Sequence, residues 1–171
     1  MIKRAFNAIL FLFTLLIFAG CGGGGNETPA VTYTTATLKI NLNGDLAGKA
    51  IAGAEFTLTL PADVTPEIAN NAVASTVVTP SGTFAGGNQT PPVYTAATGS
   101  AAGKIQIVLA NNVAAGVTTA GEVATVVLQL ANAAAPAASG FALDSVPVKV
   151  IDTLGAPIAG MTATVAGVTL Q

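Results

Sequence analysis

The sequence predicts an all-β fold, a single antiparallel β-sandwich running from Thr37 to Gln171. Apolar residues recur at every second position in several short stretches, the period of a strand with one dry face and one wet one. Between these stretches stand Gly, Asn, Asp and Pro clusters of the kind that reverse a chain. No long segment carries the 3.6-residue period of an amphipathic helix.

The elements follow in chain order. Leu38, Ile40 and Leu42 alternate with Lys39 and Asn41, and the run stops at Asn43-Gly44-Asp45. Ala54, Phe56, Leu58 and Leu60 alternate with Glu55, Thr57 and Thr59 until Pro61, which has no N–H for a ladder. Thr65–Val73 could be a short helix, with Pro66 at its first position and Glu67 behind it. Gly86-Gly87-Asn88 marks a turn, and Ile105, Ile107 and Leu109 then alternate with Lys104 and Gln106 before Asn111-Asn112. After Ala120-Gly121, the stretch Val123–Leu130 is nearly apolar on both faces, as expected of a strand covered twice or lying in an interface. Its outward side is read as Val123, Thr125 and Val127. Ala131–Ala138 is a second possible helix, broken by Pro136. Val146–Ile151, the turn Gly155-Ala156-Pro157 and Thr162–Leu170 complete the set.

Ahead of the sandwich lie two segments of different character. Residues 1–20 open with Lys3 and Arg4, continue with an apolar stretch from Ala5 to Phe18 interrupted by Asn7 and Thr14, and end in small residues before Cys21. These are the three parts of a secretory signal. The stretch Phe18-Ala19-Gly20-Cys21 resembles the lipobox of bacterial lipoproteins, although Phe18 stands where that family usually has Leu. The resemblance implies cleavage before Cys21, the single cysteine of the chain, and acyl chains on its sulfur. A spanning anchor fits less well, because about 12 apolar residues cover roughly 18 Å of a hydrocarbon core of about 30 Å. Gly22 after the cysteine, where an Asp is absent, implies onward transport to the outer membrane in enteric-type lipoproteins. Residues 21–36, beginning Gly22-Gly23-Gly24-Gly25, have no sustained period and read as a flexible tether. The expected location is therefore the cell envelope, with the protein held to a membrane through acyl chains on Cys21.

Composition excludes several functions. Without the signal the chain keeps Lys39, Lys49, Lys104 and Lys149 against eight carboxylates, a formal net charge of −4, and the lysines are scattered. A nucleic-acid partner is not expected, because phosphate binding needs clustered cations. Histidine is absent, which removes the Ser-His-Asp triad, the Cys-His pair and the His-ligated zinc site. The tetraglycine is followed by no Gly-Lys-Ser/Thr, so it is no phosphate loop. Ser100 stands four residues before Lys104, off the Ser-x-x-Lys spacing. Glu55, Asp63, Glu122, Asp144 and Asp152 could still approach one another as a carboxylate pair. Polar-face and turn positions explain all five without chemistry, so no enzyme activity and no catalytic residue is expected.

The expected cofactor and metal content is none. Asn43-Gly44-Asp45 and the Asp144/Asp152 region could offer oxygens to calcium, but no Asp-x-Asp-x-Asp spacing occurs. Asn26 and Asn88 match the glycosylation acceptor pattern, which a bacterial lipobox makes a poor guide. Sugar platforms are built from Trp and Tyr, and the chain has no Trp and only Tyr33 and Tyr94, the first in the tether.

The order of segments carries a second resemblance. Ile51-Ala52-Gly53-Ala54-Glu55-Phe56-Thr57-Leu58-Thr59-Leu60-Pro61-Ala62-Asp63-Val64 comes first, then Gly103-Lys104-Ile105-Gln106-Ile107-Val108-Leu109-Ala110. Gly121-Glu122-Val123-Ala124-Thr125-Val126-Val127-Leu128-Gln129-Leu130 follows, and last Phe141-Ala142-Leu143 with Val148-Lys149-Val150-Ile151-Asp152. Together they resemble the cohesin-like domain over Thr37 to Gln171. Leu60-Pro61-Ala62-Asp63 departs from that family's aromatic-Asp-Pro turn, and Leu128 replaces its usual Phe. The resemblance implies a nine-stranded, jelly-roll-like sandwich that binds a protein partner, a dockerin in cellulosomes and other partners elsewhere.

Two functional classes follow. One is a surface-tethered protein-interaction module, with Val123, Thr125 and Val127 as its outer face. The other is a structural envelope lipoprotein, or one that binds a polysaccharide or another ligand; an aromatic cleft or an ion-filled acidic rim would favour it.

Overall fold

The computed structural model describes residues 32–144 and 148–171. The expected signal, Cys21, the Asn26 sequon and the first residues of the expected strand Val146–Ile151 lie outside them. Thr32–Gln171 forms one compact unit. It is all-β, as the alternation predicts.

The strands in chain order are β1 (Thr35–Asn43), β2 (Ile51–Leu60), β3 (Val64–Thr65), β4 (Ile68–Ala69), β5 (Ala72–Val73), β6 (Val78–Pro80), β7 (Asn88–Gln89) and β8 (Val93–Thr95). They continue with β9 (Gly103–Ala110), β10 (Glu122–Leu130), β11 (Ala142–Leu143), β12 (Lys149–Asp152) and β13 (Thr162–Leu170). One sheet has the order β13-β1-β10, with β3 and β6 both along the far side of β10. The other centres on β2 and β9, with β11 and β12 beside β2 and β7 and β8 beside β9. Every pairing is antiparallel. The two sheets bury one core between them, in which Leu38, Ile40, Phe56, Leu58, Ile105, Ile107, Val126 and Leu128 are nearly inaccessible. The expected inward rows of β1, β2 and β9 are the observed ones.

Four expectations are corrected. The sandwich starts earlier than Thr37: β1 begins at Thr35, and Ala36, assigned to the tether, is fully buried. Thr65–Val73 is not helical. It contains the β4–β5 hairpin, whose turn residues Asn70 and Asn71 both hold left-handed backbone, φ 51° and 63°. Asn tolerates that region and a two-residue hairpin requires it, which outweighs the helix-start signal of Pro66-Glu67. Ala131–Ala138 is a turn rather than a helix, with Asn132 and Ala133 also left-handed, and only Ala138–Gly140 closes a single 3₁₀ turn.

The fourth correction concerns β10. Val123 faces the core, not the outside. Ile40 pairs with Ala124 while its neighbour Asn41 pairs with Glu122, so Val123 is an extra residue in β10. A bulge of this kind breaks the two-residue period, and both Val123 and Ala124 end up buried.

Candidate functional site

The outer face of the β1–β10–β13 sheet is polar. Thr35, Thr37, Lys39 and Asn41 on β1, Thr125 and Gln129 on β10, and Thr164 and Thr169 on β13 form its cross-strand rows. Val127 is on this face as expected, half-buried opposite Thr37. Thr125 belongs to a hydrogen-bonded group: Lys39 Nζ donates to its Oγ1 at 2.9 Å and to Glu122 Oε1 at 2.8 Å. Ser81 Oγ lies 2.6 Å from the same Glu122 oxygen. With Val123 inside, no apolar stripe remains here.

The five carboxylates singled out by sequence are all partnered, and apart. Glu55 pairs with Lys149 at 3.3 Å and accepts from Gln106 at 2.7 Å. Asp144 pairs with Lys104 at 2.7 Å and accepts from Thr59 at 2.5 Å. Asp63 accepts from Asn132 at 2.9 Å. Glu122 holds Lys39, and Asp152 pairs with Lys49 at 3.3 Å. Each of the four lysines among the described residues thus has one carboxylate. Asp144 and Asp152 sit at opposite ends of β2, since β11 pairs at Leu58–Thr59 and β12 reaches Ile51. They share no site. Among the described residues no three Asp, Glu, His or Cys side chains converge on a point where an ion could sit.

These contacts lower three pKa values. The Lys39 hydrogen bond, then that of Ser81, holds Glu122 below its ordinary value. Lys104, then Thr59, does the same for Asp144. For Asp152 the Ala156 N–H acts most, followed by the Leu154 N–H and Lys49. Hydrogen bonds to a charged carboxylate favour ionisation, so these groups are poised as structural anions rather than as proton donors near neutrality.

The outer face of the second sheet is graded along its strands. At one end Thr59 and Lys104 face each other, with Asp144 beside them. Next come Thr57 opposite Gln106, and Glu55 opposite both Val108 and Lys149. The last row, Asn88, Ala110, Gly53, Ile151 and Pro157, is nearly free of polar side chains. Gly53 leaves a notch in the middle of it, where a Cβ would come within 2.9 Å of the Leu109 carbonyl oxygen and 3.5 Å of Ile151. The resulting cleft, about 130 Å³, is lined by Gly53, Val108 and Ile151 and rimmed by the Glu55–Lys149 pair.

Two loops extend this apolar end. Ile151 is 42% exposed and Leu154, at the tip of the turn after β12, is 91% exposed. That tip is fixed from below, because the Asp152 carboxylate accepts the N–H of Leu154 at 3.0 Å and of Ala156 at 2.8 Å. Val113, also exposed, follows three residues after Ala110 in a loop tied to β2 by the Asn111 N–H on Ala52. Sequence reasoning placed Ile151 at the end of a strand but did not bring it to Gly53. Period-two patterning gives each strand's face and not which rows become neighbours.

A second apolar concavity, about 360 Å³, lies between the Asn70-Asn71 hairpin and Pro91–Tyr94, with Ile68 and Val93 exposed on it. Pro91-Pro92 was its one signal in the sequence. No exposed aromatic ring occurs among the described residues: Phe56, Phe84 and Phe141 are buried, Tyr33 and Tyr94 half-buried. Asn88, within its sequon, donates to Asn112 at 2.8 Å. No described helix is long and apolar enough to cross a membrane. The chain matches no protein-family model, no curated protein and no solved structure.

Proposed function

We propose that the chain is a membrane-tethered, non-catalytic binding module of the cell envelope. Its partner is another protein, which docks on the apolar end of the β2–β9–β12 face. The observation that carries this reading is the row Ala110-Gly53-Ile151 with the projecting Leu154: exposed aliphatic groups on a rigid sheet, rimmed by an ion pair. An apolar centre inside a polar rim is the anatomy of a protein interface. The notch at Gly53 is below the roughly 300 Å³ of a typical small-molecule pocket, and its size suits one aliphatic side chain. Tethering is supported by the lipobox-like Phe18-Ala19-Gly20-Cys21, and the cohesin-like order of β2, β9 and β10 supports a binding role. The non-catalytic reading is supported by the binding of Glu55, Glu122, Asp144 and Asp152 each to a different lysine.

The test is capture of an envelope protein by the full-length chain, compared across three variants. Ile151→Lys and Leu154→Lys should each weaken capture at least tenfold, as for an interface centre. Val127→Lys, on the opposite sheet, should leave it unchanged. Loss of capture with Val127→Lys alone would return the interface to the other face. The Ile68–Val93 concavity favours a second reading, a ligand-binding lipoprotein, because its volume fits a small molecule. Specific glycan binding removed by Val93→Asp, with no protein captured, would establish that reading instead.

A further inference from the structure

We propose that the chain self-associates through the outer edge of β13. Two copies pair antiparallel about a two-fold axis between Ala166 and Gly167, which makes the β10-β1-β13 sheet continuous across the dimer. This inference is independent of the binding face above, which lies on the other sheet.

β13 is a sheet edge, paired with β1 alone among the described residues. Its nine residues, Thr162 to Leu170, contain no charged side chain and no proline. Natural edge strands are usually shortened, charged or interrupted by proline to prevent pairing with another chain. Here neither charge nor proline blocks the edge. No backbone hydrogen bond reaches residues 162–170 from outside the sheet among the described residues.

The strand is also self-complementary, and its bulge makes it so. Lys39 pairs with Gly167 while Ile40 pairs with Val165, leaving Ala166 as an extra residue. Residues three apart in a regular strand face opposite sides. The bulge instead turns Val165 and Val168 to the same, inner side, opposite Ile40 and Leu38. Directly opposed residues of an antiparallel pair share a face. About the 166/167 midpoint, Val165 therefore meets Val168 of the second copy, Ala163 meets Leu170 and Thr164 meets Thr169. Every inner residue meets an inner one, and every threonine an outer one. The neighbouring symmetric registers, with midpoints on Ala166 or Gly167, would set valine against threonine.

Burial and charge point to the same occupant. Inner side chains of β1 and β10, such as Leu38, Ile40 and Val126, are fully buried. Those of β13, Ala163, Val165, Val168 and Leu170, are only half-buried. A second copy covers them. Lys39, the cation that β1 sets opposite Gly167, is held by Glu122 at 2.8 Å, so it brings no unpaired positive charge to the edge.

The experiment uses the full-length chain in mild detergent with Cys21→Ser, which leaves no native cysteine, and follows sedimentation over a range of concentrations. The protein should dimerise reversibly. Thr164→Lys with Thr169→Lys sets like charges opposite each other twice, whereas Thr164→Lys with Thr169→Glu sets opposite charges. Both substitutions are on exposed positions. The dimer Kd of the first should exceed that of the second at least tenfold. Equal Kd values, or a wild-type chain that stays monomeric to millimolar concentration, would overturn the proposal. Disulfide trapping checks the register without relying on affinity: Thr164→Cys with Thr169→Cys should cross-link, and Thr164→Cys alone should not. Equal cross-linking by the single variant, or an edge that captures a different protein in place of its own copy, would overturn it too.

Discussion

Lys49 and Asp152 form an ion pair at 3.3 Å, and Asp152 is the one buried charged side chain among the described residues. The carboxylate does more than meet the lysine, since it also gathers the N–H groups of Leu154 and Ala156 and so fixes the turn that displays Leu154. Its contribution to stability is set by ionisation. Folded Asp152, Asp144 and Glu122 titrate below their ordinary values of 3.8, 3.8 and 4.5. A depressed folded pKa gives stability that is fully present above the unfolded value and is lost as pH falls through the folded one. The melting temperature should therefore be flat from neutrality down to about pH 5 and fall below about pH 4.5. Asp152→Asn should reduce that acid slope more than Asp144→Asn or Glu122→Gln, whose pairs are more exposed to solvent and contribute less. A profile unchanged by Asp152→Asn would show that the turn is held by its backbone alone.

Phe56 and Thr57 test the register of β2. Phe56 points into the core at 4% exposure, and Thr57 lies on the outer face opposite Gln106. Phe56→Ala should cost about 3–5 kcal/mol in chemical denaturation. Thr57→Ala should cost less than about 1 kcal/mol. Equal losses would mean that the inner and outer rows of this strand are exchanged.

The long strands were legible because their alternation is nearly unbroken, from Leu38 to Leu42, Ala54 to Leu60 and Ile105 to Leu109. What sequence reading lost, it lost at bulges and short pairings. A two-residue period puts Val123 on the outer side with Thr125 and Val127, and one extra residue in β10 turns it inward. β6, β7 and β8 are two or three residues long, too short for any period to register. The candidate site was half visible: Ile151 ends one expected strand and Gly53 directly precedes another, but their adjacency depends on β12 lying beside β2. Leu154 stands just ahead of the expected turn Gly155-Ala156-Pro157, and nothing local marks a leucine there as displayed rather than tucked in.

The Asn70-Asn71 turn gives a local test of the corrected segment. Both residues hold positive φ, which β-branched side chains resist. Asn71→Val should destabilise the hairpin by about 1–2 kcal/mol, and Asn71→Gly should be tolerated. Hydrogen exchange at Ala74, whose N–H donates to the Glu67 carbonyl across the hairpin at 2.9 Å, reads the effect directly. A helix over Thr65–Val73 would predict the reverse order, with glycine the more harmful substitution.

The anchor is tested at Cys21, the chain's single cysteine. Cys21→Ser should move the protein from the membrane fraction to the soluble one. Thr32–Gln171 carries no described helix able to span a bilayer, and its lysines are already paired with carboxylates. Neither an apolar span nor a basic patch from that part of the chain is then on hand to replace acyl chains. Salt distinguishes the two kinds of attachment: surface charge contacts are screened within about 8 Å at physiological ionic strength, whereas buried acyl chains are indifferent to it. Wild-type protein should therefore stay on membranes through a high-salt wash and leave them in detergent. Release of the wild type by salt alone, or membrane retention of Cys21→Ser through the same wash, would rule out the acyl anchor.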